Sequence, residues 1–209
     1  VVVDNSPSSP VTYTAFHMGN VSVTGGISDE TFESGAKISL NALDVNKVSS
    51  GSRLDWSKAF DFDSNPATED IVDPGADLPT PRALPIDFTS DMALRVKGSI
   101  EGIGTKTRSG KADLTNVFLD ADTVVITGSA QFAYTKRDGV SVDTDSQTAG
   151  AELTGATLTT MALTVDNVGL HVDGVSADAG LTVSGELALA KVVDDPTSTT
   201  TTYTAFHMG

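Results

Sequence analysis

Cysteine is absent from the 209 residues, which removes disulfides, thiolate metal sites and cysteine nucleophiles together. Stability must come from burial and backbone pairing, in a chain long enough for one large β domain or two small ones. Basic residues are few: 13 Lys and Arg stand against 28 Asp and Glu, a formal charge of −15. Such a field repels phosphate backbones and anionic lipid, so nucleic acid is not an expected partner. Glutamate is scarce as well, 6 residues against 22 Asp. Asp favours turns and caps over helix interiors, so helices should be rare. No run reaches the roughly 18–20 consecutive apolar residues of a membrane span, and membrane insertion of this segment is not expected. The stretch opens without Met, a basic n-region or an apolar h-region, so any export signal is expected to lie outside it.

What is present is a duplication. TYTAFHMG occupies Thr12 to Gly19 and returns letter for letter at Thr202 to Gly209, 190 residues on. At the same offset Val2, Val3, Asp4 and Ser8 match Val192, Val193, Asp194 and Ser198, so the identity decays into a diverged Ser/Thr/Pro linker. Self-similarity at a fixed period marks a repeat array, here one full period plus the start of the next. A tag placed at both ends would not bring a diverged VVD with it. A free subunit whose matched ends act as edge strands in a polymer is the other reading, and it too makes a fibre.

Five of the eight prolines, Pro66, Pro74, Pro79, Pro81 and Pro85, fall between Asp61 and Asp87. Proline cannot donate to a ladder, so this is a long structured loop. The expected organisation is 1–19 as the end of a linker and a junction strand, 20–60 as an N-terminal β part, 61–87 as the Pro/Asp-rich loop, 88–193 as the main β part, and 194–209 as linker and next repeat. Outside the loop, apolar residues alternate, as in Leu94, Val96, Ile100 and Leu181, Val183, Leu187, Leu189, the period of half-buried strands. Asp138-Gly139, Asp173-Gly174 and Gly25-Gly26 read as hairpin turns. The apolar phase slips by one residue at Asp166-Asn167, which predicts a bulge, turn or sheet corner. One or two helical turns are expected near LDWSKAF, capped by Asp55, with Trp56 and Phe60 on one face.

The best candidate for chemistry is DFDSNPATED, in which Asp61, Asp63 and Asn65 place alternate oxygens on one loop and Glu69 and Asp70 can complete a shell around a hard cation. Pro66 stands where an EF-hand needs glycine and Val72 where it needs a bidentate Glu. An EF-hand is therefore excluded, leaving a looser calcium loop or a solvated acidic turn. Asp120/Asp122 and Asp143/Asp145 are weaker versions of the same pattern. No G-x-S-x-G string occurs, and of three histidines His17 and His207 share one repeat position, leaving His171 alone; neither triad nor zinc chemistry is supported. Only Trp56 offers a strong sugar-stacking platform, and no enzyme is expected. Tyr13, Phe16, His17 and Met18, with Tyr203, Phe206, His207 and Met208, are the candidate junction residues.

By its TYTAFHMG-bounded period, its Asp/Thr/Gly/Val composition, its lack of Cys and its alternating strands around a glycine (VSVTGGI, LRVKGSI, VVITGSAQF, LTVSGELAL), the chain resembles one unit of the giant repetitive surface proteins of bacteria. That resemblance implies an exported module providing length, strength or presentation of a tip. It carries no functional residue with it. The expected fold is all-β, a mostly antiparallel sandwich-like or elongated sheet in a tandem array, with a β-solenoid as the alternative. Two functions follow: a structural repeat of an extracellular filament whose partners are neighbouring copies, or a calcium-dependent adhesin or glycan-binding module with a surface glycan or protein ligand.

Overall fold

Strand-forming sequence dominates, and the computed structural model is built mostly from strands. It describes residues 1–5, 10–28, 33–65, 69–108, 110–121, 123–144, 152–172, 179–194 and 201–209. Among these, eleven strands join one sheet: β1 (Val2–Asp4), β2 (Val11–Met18), β3 (Val21–Ser28), β4 (Glu33–Val48), β5 (Met92–Gly102), β6 (Gly104–Lys106), β7 (Leu114–Ala121), β8 (Val124–Asp143), β9 (Glu152–Val172), β10 (Ala179–Val193) and β11 (Thr202–Met208). The main path runs β1-β2-β4-β5-β8-β9-β10-β11. Every pairing is antiparallel, so the expected all-β antiparallel fold is present and the solenoid alternative, which needs parallel coils, is not. β2 and β3 lie end to end on one edge of β4: Met18 faces Leu43 and Val21 faces Leu40, a single register broken only at Gly19-Asn20. At the far end β7 pairs with both β8 and the start of β4, closing a ring of pairings through β4, β5, β8 and β7.

Period-2 alternation puts the apolar phase on one face of the sheet. Cross-strand rows run Phe132–Leu163–Leu187–Met208 and Tyr134–Met161–Leu189–Phe206. Of the bulge, turn or corner expected at Asp166-Asn167, the structure has the bulge. β9 carries one extra residue there against both neighbours, and Asn167 takes φ 49. The bulge keeps Val165 and Val168 on the same side, so the apolar stripe continues unbroken along the strand. Much of this face is open to solvent, Val183 at 52% and Phe206 at 61% exposure.

Two expected turns are corrected. Asp138-Gly139 is a bulge inside β8, with Gly139 at φ 74 and a register shift between Asp138 and Val140. Gly25-Gly26 lies within β3, paired with Ala36 and Gly35. A bulge or a strand position beside close backbone uses the same glycine that a turn needs, so the dipeptide alone does not end a strand. Asp173-Gly174 lies outside the described residues. LDWSKAF makes one hydrogen-bonded turn rather than a helix. Asp55 caps it, accepting from the Ser57 amide at 3.2 Å, but the Trp56 amide donates to Phe88 O at 2.7 Å and draws the chain toward the sheet.

Residues 49–65 and 69–91 fold back over the end of the sheet opposite the ring, and the strands that flank them, β4 and β5, pair directly. Trp56, Phe88 and Met92, each under 5% exposed, form the core there, against Val2, Tyr13, Ala15, Leu54, Phe60 and Ile86. The segment is held by two isolated bridges, Phe60–Asp70 and Val72–Ile86, and by a 3-10 turn at Pro74–Asp77 capped by Asp73. This gives the single sheet a second layer at one end.

Candidate functional site

The acidic loop is closed at its base by the Phe60–Asp70 bridge. Its turn is wound by carboxylates: the Asn65 amide donates to Asp61 Oδ1 at 3.1 Å and Asp63 Oδ1 at 2.9 Å, and the Phe62 amide to Asp70 Oδ2 at 2.5 Å. Asp61, Asp63 and Asp70 thereby bring carboxylate oxygens within 4.8 Å of one another. Such a group can hold a metal ion, Asp61 and Asp63 being exposed and Asp70 partly so. Asn65 enters the turn through its backbone, and Glu69 is not among the converging carboxylates. Asp120 is instead paired to Lys106 at 2.7 Å, while Asp122 and Asp145 lie outside the described residues. Trp56, at 2% exposure, is core and offers no stacking face. His171 meets Thr127 Oγ1 at 3.2 Å, within the sheet.

The more elaborate constellation is one that strand alternation concealed. Asp44 and Asn46 alternate with Leu43 and Val45 on β4, a pattern that normally sends the polar pair to solvent. Here that polar face is the one residues 49–91 cover. Asn46 becomes a hub: its carbonyl oxygen accepts from Trp56 Nε1 at 3.0 Å, and its amide donates to Leu54 O at 3.0 Å and Thr89 O at 3.2 Å. Asp44, 0% exposed, binds His17 Nδ1 at 2.6 Å with one oxygen and Arg95 Nε at 2.5 Å with the other. The His17 proton must therefore sit on Nδ1 to donate.

Two further ion pairs tie this layer to β8, Arg53 to Asp138 and Arg137 to Asp91. Burial pushes the Asp138 carboxyl up, but hydrogen bonds from Thr157 and Arg53 and the charges of Arg53 and Lys136 outweigh it and hold it below the usual carboxylate value. At Asp91 burial also raises, and hydrogen bonds from Thr89 and Arg137 with the Arg137 charge again prevail, lowering it.

The duplicated block occupies two different settings. In β2 it lies inside the sheet, with Tyr13 and Ala15 under the Trp56 core and His17 on Asp44. In β11 it is an outer strand on β10, exposed along its whole length. Its hairpin geometry is nevertheless the same: Val192 faces Tyr203 and Val193 faces Thr202, just as Val2 faces Tyr13 and Val3 faces Thr12. Of the sequence-chosen junction residues, Phe16 and Met18 lie on the apolar face of the sheet, and Tyr13 and His17 on the covered one. No protein-family model, curated protein or solved structure matches the chain.

Proposed function

We propose that this chain is a structural repeat unit of an extracellular filament or cell-surface fibre, assembling head to tail through equivalent junctions and performing no catalysis. The observation that carries the reading is the register identity of the two end hairpins. β1–β2 and β10–β11 pair equivalent residues, yet one is covered by the Trp56 layer and the other is bare. Identical strands in complementary settings at opposite ends of a unit give each junction the same geometry, the condition for a heterologous line that propagates. The large exposed apolar area and small core also suit a unit completed by its neighbours. Negative-stain electron microscopy of the native material should show fibres of uniform width with a regular axial repeat. Isolated particles would overturn the proposal.

A second reading, a calcium-dependent adhesin or glycan-binding module, is favoured by the convergence of Asp61, Asp63 and Asp70. Calcium at about a hundredfold over its Kd would stabilise by about 2.7 kcal/mol, raising Tm by about 5–10 °C in a chain of this size. Melting unchanged by calcium or EDTA would remove the metal from this reading.

A further inference from the structure

The covered β2 shows what the bare β11 lacks. β2 pairs on its inner side with β4, Tyr13 facing Val48 through to Met18 facing Leu43. On its outer side β1 covers only Val11 to Tyr13. β11 has the opposite condition: its β10 side is paired from Thr202 to Met208, while nothing follows it on the sheet path. Superposing the two copies of the block by residue identity leaves a strand with β10 on one side and β4 on the other, both paired along its length.

Resting on the repeat reading above, we infer that the β11 edge is the docking surface for β4 and the 49–91 layer of a second copy of this unit, so that one sheet runs unbroken across the junction. Tyr203 then faces Val48 of the following copy, Thr204 faces Lys47, and Met208 faces Leu43. His207 reaches that copy's buried Asp44 as His17 does here. Val192, Tyr203 and Ala205 pass beneath its Trp56 and Phe88, where Val2, Tyr13 and Ala15 now sit. The shared strand belongs to both units at once, serving as β11 of one and β2 of the next. The acceptor is selective at Asp44, whose fully buried carboxylate accepts from His17 here, a hydrogen bond that a foreign strand without histidine at that position would leave unmade.

The absence of native cysteine makes disulfide trapping clean. The probe is a two-copy chain in which Thr202–Gly209 of the first copy serves as Thr12–Gly19 of the second. Thr204 in the shared strand is opposite Lys191 of the first copy's β10 and would be opposite Lys47 of the second copy's β4; both lysines are exposed. Thr204→Cys is combined with Lys191→Cys in one variant and with second-copy Lys47→Cys in another. A control places Met208→Cys with second-copy Lys47→Cys, about 13 Å out of register, beyond the roughly 4.4–6.8 Å Cα separation a disulfide spans. All variants are required to melt like the parent when reduced.

Near-complete oxidation of both in-register pairs, with at least a tenfold slower control, is the expected result. A Lys47 pair that fails while the Lys191 pair forms means that the strand stays with the first unit and the sheet breaks at the junction. The reverse pattern means that the strand has left β10. Either outcome overturns the continuous sheet, and a two-copy Tm still above that of one copy would leave the array reading standing. No gain in Tm together with a failed junction pair would remove both.

Discussion

Asn46 is the residue on which the covered end of the sheet depends most. Replacing it by Ala leaves the Trp56 indole N–H and the Leu54 and Thr89 carbonyls without their partner. Unsatisfied buried polar groups cost about 1–3 kcal/mol each, so Asn46→Ala should destabilise by about 2–4 kcal/mol in urea unfolding followed by Trp56 fluorescence. A loss below 0.5 kcal/mol would show that the hub is dispensable. Gly75 sits where an added Cβ would lie 2.0 Å from Arg82 O; Gly75→Ala should loosen the Pro-rich layer by about 1–3 kcal/mol, seen as a lower Tm. At this scale the sequence was only partly legible. The Asp61–Asp63–Asp70 cluster could be read because its members lie close along the chain. Asp44, Asn46 and Arg95 could not, because alternation reveals two faces of a strand without saying which one a distant loop will cover.

The strands were the most legible elements, since an apolar–polar period of two runs through most of them. The bulge at Asp166-Asn167 was legible for the same reason: a phase slip with no other turn signal has few structural solutions. Glycine dipeptides misled because their conformational freedom serves bulges and strand interiors as well as turns. The 61–87 part of the covering layer was readable as a loop from its prolines, but the layer's packing on the sheet was not, since that depends on contacts distant in sequence. Its attachment should be sensitive to acid. Asp91 and Asp138 have folded values below the ordinary 3.8. The stabilisation they supply is therefore fully present above that value and is lost as pH falls through it towards the lowered folded value. Trp56 fluorescence should report release of the layer below about pH 4. Asp138→Asn should lower stability at neutral pH and make the acid step shallower, whereas an unchanged step would exclude Asp138 from it.

For the whole molecule, the duplication was visible as a string, and the shared register of its two copies is what supports the mechanical role proposed for it. Under the proposed function, two hairpins of the same register, one covered and one bare, would serve as the donor end and the acceptor end of one sheet. The proposal then requires the axial rise per unit to be set by the sheet itself and not by a flexible linker. Stability should likewise grow with copy number, each added junction covering a bare β11. The most direct measurement is the maximum dimension, by solution X-ray scattering, of chains carrying one, two and four copies joined through the shared block. A rigid array requires that dimension to rise by a constant increment per copy. Growth nearer the square root of copy number, as for beads on a flexible string, would contradict the structural-repeat account.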